Sequence, residues 1–258
     1  MNERKREESF CEAELSKMLG ASIGVRVFDE IDSTSNEAKR IAADGADVPT
    51  LIAAARQTAG RGRMGRSFYS PAQTGAYFSV LYPIRTPLWG AVSVTGAAAV
   101  ATMRAIRTLT GKQTQIKWVN DLYLDGKKIC GILTEAVTFG ERTHLIVGIG
   151  VNLNTREFPD GLNATAGSLK EAQLSRTALI AEIFRELRPF LDDPSDRSWL
   201  NDYRTHSCVL GRQIVWSRDG ETKQGLAVGI NQDGELEVVD DSGNASVLRT
   251  GEISVRVV

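Results

Sequence analysis

Apolar and polar residues alternate over several short runs in the first two thirds of the chain, as they do in half-buried strands. This pattern predicts strands at 24–31, 51–55, 75–81, 115–119 and 144–152. A hairpin is predicted where strands 122–124 and 127–133 flank Asp125-Gly126, because this dipeptide favours a two-residue turn.

Segments with the sequence signals of helices lie before, between and after these strands. Thr34 and Glu37 match the capping-box pattern, which predicts a helix at 34–43 with the Thr34 hydroxyl as its cap. Further helices are predicted before Gly20, at 91–109, after a Ser175 cap, and around 199–203.

After Gly211 the pattern changes to short alternating strands separated by Asp-Gly and Ser-Gly turns. These strands are predicted at 213–217, 225–230, 236–239, 246–249 and 253–258. Such a run of short strands favours a small β-barrel. We therefore expect an N-terminal extension at 1–23, a main domain at 24–206 and a barrel domain at 207–258.

Composition and charge are those of an ordinary globular protein. Of the 258 residues 42% are hydrophobic and 24% charged, and the net charge is −1. A nucleic-acid-binding protein is usually basic overall, so this balance argues against DNA binding. Any site for an anion must therefore be local.

Cysteine and histidine are too sparse and scattered for a structural zinc site or a disulfide framework. The three cysteines are Cys11, Cys130 and Cys208, with His144 and His206 as the two histidines. The charged N-terminus does not resemble a signal peptide, and no apolar run reaches the ~20 residues of a membrane span. We expect a cytoplasmic protein that does not enter a membrane.

Arginine and glycine alternate in the segment 60–66, Gly-Arg-Gly-Arg-Met-Gly-Arg, between two predicted strands. Arginine suits phosphate, and glycine allows the backbone to approach a ligand closely. The segment matches neither a Walker loop nor a dinucleotide-binding turn. Phosphate binding is favoured, with a solvated basic loop or an RNA contact as alternatives.

Three other segments, at 32–36, 116–121 and 148–154, carry candidate chemistry. Lys117 lies in an apolar strand beside Trp118, so it either faces a ligand carboxylate or phosphate or points to solvent from an edge strand. Asn120-Asp121 are either turn residues or ligands of Mg²⁺ or of a nucleotide hydroxyl. Segments 32–36 and 148–154 place polar side chains at a helix start and a strand end.

In their order along the chain, these motifs resemble those of a biotin–protein ligase. The resemblance covers roughly 24–258 and rests on the following sequences: Asp32-Ser33-Thr34, Gln57 with 60–66 and Ser70-Pro71, Lys117-Trp118-Val119-Asn120-Asp121, Gly131-Ile132-Leu133-Thr134-Glu135, Gly148-Ile149-Gly150-Val151-Asn152 and Gly251-Glu252-Ile253-Ser254-Val255-Arg256. Three positions differ from the frequent family residue, namely Ser35 (asparagine), Phe68 (tryptophan) and Val119 (proline).

The resemblance implies an α+β fold, with a catalytic domain like that of class II aminoacyl-tRNA synthetases and a C-terminal SH3-like barrel. It implies an enzyme that makes biotinyl-5′-AMP from biotin and ATP, releasing pyrophosphate, and then passes biotin to a lysine of a biotin carboxyl carrier domain. ATP and Mg²⁺ are the implied cofactors, with Mg²⁺ held through ATP phosphates and not by a cluster of protein ligands.

The resemblance also implies roles for individual residues. Lys117 and Arg63 would be catalytic. Biotin would be bound by Ser33, Thr34, Ser35, Gln57, Arg61, Gly62, Arg63 and Lys117. The nucleotide would be bound by Arg61, Arg63, Arg66, Asn120 and Asn152.

Two rival functions remain. A lipoate or octanoate ligase has the same fold, although the Gly/Arg segment together with the closing motif at 251–256 favours biotin. A biotin-responsive regulator that binds nucleic acid would use Arg61, Arg63 and Arg66. Bifunctional relatives carry a DNA-binding domain of about sixty residues, and the expected extension at 1–23 is too short for one, so we expect a monofunctional ligase. A homodimer is an open alternative to a monomer.

Overall fold

The computed structural model describes residues 11–84, 91–218, 221–249 and 254–257. Within these ranges the helices are α1 (Glu12–Leu19), α2 (Thr34–Ala43), α3 (Ala91–Thr110), α4 (Arg176–Asp192) and α5 (Leu200–Thr205). None of the helices described is both long enough and apolar enough to span a membrane.

A mixed seven-stranded sheet forms the larger part of the molecule. Its strands are β1 (Gly24–Ile31), β2 (Thr50–Gln57), β3 (Gly75–Ile84), β4 (Gln115–Lys117), β5 (Asp121–Leu124), β6 (Lys127–Phe139) and β7 (Arg142–Asn152). They run in the order β1-β2-β3-β7-β6-β5-β4. β1 and β2 are parallel, and the other neighbours are antiparallel.

Helices cover both faces of this sheet, which explains why its central strands are apolar at successive positions. Leu51 packs in the cluster that includes α3 and α4, whereas the next residue, Ile52, packs with α2 on the opposite face. Gly96 lets α3 approach the ring of Trp199, since a Cβ at Gly96 would overlap that ring. The main hydrophobic core therefore lies between the sheet and α3 and α4.

A smaller antiparallel sheet contains β8 (Gln213–Arg218), β9 (Glu221–Ile230), β10 (Leu236–Asp240), β11 (Ala245–Leu248) and β12 (Ser254–Val257). Its order is β11-β10-β9-β8-β12. The turn between β9 and β10 contacts the larger sheet, where the Trp118 indole Nε1 donates to the Gly234 carbonyl at 3.0 Å.

Most of the predicted elements are present. β1 and α2 have the predicted bounds, while β2, β3 and β7 extend beyond theirs. Asp125 and Gly126 have φ values of 51° and 75°, as a type I′ hairpin turn requires. The mixed sheet with its helices and the second, smaller sheet confirm the predicted α+β class. The SH3-like barrel and the domain bounds 1–23, 24–206 and 207–258 stay predictions.

Two local predictions were wrong. The strand predicted at 115–119 ends at Lys117, because residues 118–120 form the turn that pairs Lys117 with Asp121. Thr34 does not cap α2: the N-cap is Ser33, which makes no side-chain capping bond, and the Thr34 hydroxyl bonds to Gln57 and Ser79 instead. Residues 1–10 and the motif positions 251–253 lie outside the described residues.

Candidate active site

A cavity of about 400 Å³ lies over the middle of the large sheet, with glycines of β6 and β7 on its floor. Gly131 pairs with Gly150 across these strands. A Cβ at Gly150 would overlap the Phe68 ring, and one at Gly148 would lie 2.7 Å from Ser35 Oγ. The missing side chains therefore make room for a ligand and for the ring of Phe68 directly on the sheet.

Hydroxyl and amide groups form a connected network at one end of the cavity. Gln57 Oε1 accepts hydrogen bonds from the backbone N–H and the hydroxyl of Thr34, at 2.9 and 3.1 Å. Ser79 Oγ lies 2.8 Å from Thr34 Oγ1 and 3.0 Å from Ser35 Oγ. The Gln57 amide nitrogen donates to Ser70 Oγ at 2.9 Å, which fixes the orientation of this side chain. Packing of α2 against β2 and β3 thus presents an ordered, neutral polar surface.

The Gly/Arg segment folds into a small hairpin over the cavity. Residues 61 and 67 form a bridge, and Gly62 N–H donates to the Arg66 carbonyl at 2.7 Å. The chain reverses at Met64 and Gly65, whose φ values are 57° and 71°. Gly65 adopts this left-handed conformation readily, whereas it is uncommon for methionine.

Basic side chains dominate the cavity. Five of them line it among the described residues, against one acidic side chain: Arg61, Arg63, Arg66, Lys117 and Lys128 against Asp121. This local excess of positive charge stands in a chain whose net charge is −1.

Three of these cations are oriented by polar neighbours. Arg61 makes an ion pair with Glu135 at 3.0 Å, and Lys128 makes one with Asp121 at 2.7 Å. Arg63 donates to Asn120 Oδ1 at 3.1 Å. Burial lowers the pKa of the Arg63 guanidinium, and the nearby Asp121 carboxylate opposes this effect.

Lys117 is oriented by an aromatic ring. Its Nζ lies 5.5 Å from the centroid of the Tyr123 ring, within the range of a cation–π contact. This contact holds the ammonium group beside the cavity, so the alternative in which Lys117 serves only as an edge-strand surface residue is disfavoured.

The two predicted asparagines differ in their bonding. The side chain of Asn120 donates to the Ile132 carbonyl at 2.7 Å and accepts from Arg63, so both of its ends are used within the protein. Asn152 donates to the Gly167 carbonyl at 3.0 Å, but its buried Oδ1 has no hydrogen-bond partner. Asn152 therefore offers a buried acceptor to a ligand, and Asn120 acts through Arg63.

The structure brings nearly all predicted site residues to this one cavity. Its lining includes Thr34, Ser35, Gln57, Arg61, Gly62, Arg63, Arg66, Lys117, Asn120 and Asn152. Ser33 is buried outside the lining, and its hydroxyl has no partner there. No group of three or more potential metal-ligating side chains occurs among the residues described.

Three residues that contribute to the site were not predicted from the sequence: Lys128, Ser79 and Glu135. Lys128 follows the hairpin turn and lines the cavity together with Gly131, because the register of β5 and β6 shifts between Leu122 and Tyr123. Regular alternation would place residues three apart on opposite faces of the strand, so the sequence carried no signal for this position. Ser79 lies behind Thr34 and Ser35 in the middle of β3. Glu135 was noted in a motif without a role, and it binds Arg61.

Comparisons with known proteins agree with one another. A model described as "Biotin/lipoate A/B protein ligase family" matches residues 27–152. The bifunctional ligase/repressor BirA of Bacillus subtilis is 33% identical over 228 residues, which are 83% of this chain and 69% of that protein. A biotin–acetyl-CoA-carboxylase ligase of Paracoccus denitrificans is 30% identical over 219 residues, 80% of this chain and 90% of that one. Among solved structures, the biotin protein ligase from Aquifex aeolicus in complex with biotin and ATP is 26% identical, with a TM-score of 0.78, covering 91% of this chain and 99% of that one.

Proposed function

The chain belongs to the biotin protein ligases, within the biotin/lipoate A/B protein ligase family, and on this premise we propose that it is an ATP-dependent enzyme that attaches biotin to a carrier protein. In the first step a biotin carboxylate oxygen attacks the α-phosphorus of ATP, and the bond to the β-phosphate oxygen breaks. The products are biotinyl-5′-AMP and pyrophosphate.

The observation that carries this proposal is the set of five basic side chains around a cavity in a chain of net charge −1. The carboxylate and the triphosphate repel one another, and the negative charge shifts toward the pyrophosphate as the reaction proceeds. Lys117 and Arg63 are held beside the cavity before substrate binds, so they can stabilise that charge without reorganising. Lys128 supplies a further positive charge on the neighbouring strand.

The network of hydroxyl and amide groups at one end of the cavity suits the neutral ureido ring of biotin, which carries one carbonyl acceptor and two N–H donors. Thr34, Ser35 and Gln57 line the cavity and are fixed relative to one another. We assign biotin's ring to this end and its carboxylate to the end near Arg61, Gly62 and Lys117. Ser33 lies behind the lining, so its proposed contact would require local movement at the start of α2.

The nucleotide fits on the side of the cavity bordered by Asn152. Its unpartnered Oδ1 can accept a hydrogen bond from the exocyclic amine of adenine, a group that guanine lacks at the same ring position. Arg66 is exposed at the rim, where it can reach phosphate oxygens. Mg²⁺ fits a donor set of phosphate oxygens with the Asp121 carboxylate nearby, and when bound it would neutralise the departing pyrophosphate.

In the second step the amine of a carrier lysine attacks the biotinyl carbonyl carbon. The new amide bond forms as the bond to the AMP phosphate oxygen breaks, and the amine loses a proton. The mixed anhydride reacts with water, so the Gly/Arg hairpin must cover it until the carrier arrives. We expect the carrier to be a biotin carboxyl carrier domain, and the enzyme to be cytoplasmic.

The test is pyrophosphate release by purified protein with ATP, Mg²⁺ and a panel of acids without carrier. We expect release with biotin and not with lipoate or octanoate, because the polar network offers partners for a ureido ring. Release with lipoate and not with biotin would identify the rival ligase. Salt-dependent binding to duplex DNA would support the regulator, which we do not expect. Elution volume on size exclusion would show whether the protein is a monomer or a homodimer.

A further inference from the structure

Glu135 lies on β6 outside the cavity lining, yet it makes two contacts with a residue that belongs to the lining. Arg61 Nη1 and Nη2 donate to Glu135 Oε2 and Oε1 at 3.0 and 3.1 Å, which is a bidentate pair. This geometry is the strongest arrangement of guanidinium and carboxylate, because two parallel hydrogen bonds join the opposite charges.

Glu135 is itself held by a second cation. Lys39 of α2 donates to Glu135 Oε1 at 2.8 Å, and Asn36 of the same helix accepts from Arg61 at 3.4 Å. The side chains of Arg61, Glu135 and Lys39 are 35%, 21% and 29% exposed, so solvent screens this cluster less than it screens a fully exposed ion pair. Helix α2, strand β6 and the Gly/Arg hairpin are therefore connected through the Glu135 carboxylate.

Because Arg61 belongs to the Gly/Arg hairpin, its bonds to Glu135 can affect the conformation of the whole hairpin. Arg61 is at the start of the hairpin, and the bridge between residues 61 and 67 transmits its position to the second arm. Met64 at the tip has the uncommon left-handed conformation, which costs free energy and needs the surrounding structure to maintain it. An anchor at Arg61 contributes to keeping the hairpin in its closed arrangement.

We propose that Glu135 is a positioning residue that, through Arg61, holds the Gly/Arg hairpin closed and so sets how long biotinyl-5′-AMP stays bound. This inference rests on the proposed function. Glu135 acts on retention of the intermediate rather than on its formation, because Lys117, Arg63 and Lys128 are positioned by other partners.

The experiment measures pyrophosphate release from biotin and ATP without carrier. The enzyme concentration is high enough for the pyrophosphate released to be expressed per active site. The unaltered enzyme should release a burst close to one pyrophosphate per active site and then slow, since the retained adenylate blocks the next cycle. Glu135→Gln keeps the side-chain shape and removes the charge. It should show a burst of similar rate followed by continued release about tenfold faster than that of the unaltered enzyme.

Three further variants make the outcome specific. Glu135→Asp, which keeps the carboxylate, should recover part of the slow phase. Lys39→Met removes one support of Glu135 and should raise the slow phase about two- to threefold, which keeps the proposal testable if Glu135→Gln fails to fold. Glu30→Gln removes a carboxylate from the exposed pair with Arg56 away from the cavity, and its time course should not change.

Failure of this proposal and failure of the proposed function give different results. Absence of any biotin-dependent pyrophosphate release by the unaltered enzyme would contradict the proposed function, whereas steady release without a burst would overturn the proposal that the closed hairpin retains the adenylate. A normal burst with an unchanged slow phase in Glu135→Gln and Lys39→Met would overturn the role of Glu135. A lower burst rate in Glu135→Gln, with no faster slow phase, would show that Glu135 acts on adenylate formation and would also overturn the proposal.

Discussion

Lys117 and Lys128 lie on β4 and β6, on either side of the short strand β5, and both line the cavity. Lys128 is paired with the Asp121 carboxylate, whereas Lys117 is placed by the face of Tyr123. An aromatic face orients an ammonium group without neutralising its charge. Lys117 is therefore held beside the cavity, where its charge can act on a charge that develops during the reaction.

Replacing Lys117 by Met should slow adenylate formation at least about 10²-fold, because a fixed charge at the reacting centre is lost. The rate is measured by single-turnover pyrophosphate release. Lys127→Met is the matched control, since Lys127 is exposed, does not line the cavity and contacts the Asn163 carbonyl. Equal rates in the two variants would remove Lys117 from the mechanism.

Tyr77 makes stability sensitive to alkaline pH. Its side chain is fully buried, and burial raises its pKa to about 12, against ~10 in an unfolded chain. Between these values the unfolded chain loses a proton that the folded chain keeps, so stability falls as pH rises, by up to about 1.4 kcal/mol per pH unit.

Urea unfolding between pH 9 and pH 12 should therefore show a shallower decline in the free energy of unfolding for Tyr77→Phe than for the unaltered protein. The variant is expected to be similar to the unaltered protein below pH 9, where the phenol is neutral in both states. Parallel declines would contradict this contribution of Tyr77.

At the scale of elements, the Gly/Arg hairpin is the part of the site whose conformation depends most on its anchors. It lies between β2 and β3, and residues 64–67 are exposed. Its internal bonds close the hairpin, while Arg61 and Arg63 fasten it to Glu135 and Asn120. Bound adenylate would add contacts to the same hairpin and shift it further toward the closed state.

Limited trypsin digestion should accordingly cut after Arg63 or Arg66, and biotinyl-5′-AMP should slow this cleavage about tenfold or more. Biotin alone should protect less, because it lacks the phosphate. Cleavage sites are assigned by mass spectrometry, and cleavage in the C-terminal sheet serves as the internal control. Unchanged cleavage with and without the adenylate would exclude closure of the hairpin.

At the scale of the whole molecule, the end of β9 and the turn that follows it are bonded to the part of the chain that carries the site. Arg204 Nε donates to the Ile230 carbonyl at 2.9 Å, and Arg197 Nε to the Gln232 carbonyl at 3.2 Å. Trp118, which follows Lys117 directly, donates to Gly234 and also lines the cavity. The small sheet therefore supports the turn that positions Lys117 and Asn120.

Trp118→Phe keeps an aromatic ring and removes the donor to Gly234, so it should lower the free energy of unfolding by about 1–3 kcal/mol. Because the turn at 118–120 would loosen, the KM for ATP should also rise. Tyr203→Phe is the comparison, since it removes the bond to the Val119 carbonyl from the other side of the same turn. Full stability together with an unchanged KM in Trp118→Phe would show that the small sheet does not support the site.

The sequence by itself determined the α+β class, the strands and helices, the turn at Asp125-Gly126 and, through the order of its motifs, the family. It could do so because periodicity and turn chemistry are local properties of the chain. It also predicted ten residues of the cavity lining, but it missed Lys128 and it included Ser33, which lies behind the lining.

Only the tertiary structure decided what those residues bond to. Thr34 reads as a helix cap in the sequence, yet β2 and β3 bring Gln57 and Ser79 to its hydroxyl. Arg61 and Glu135 are separated by 74 residues and become partners only when the hairpin folds over β6. Such pairs form because strands and helices distant in sequence pack side by side, and no local pattern records which side chains will then meet.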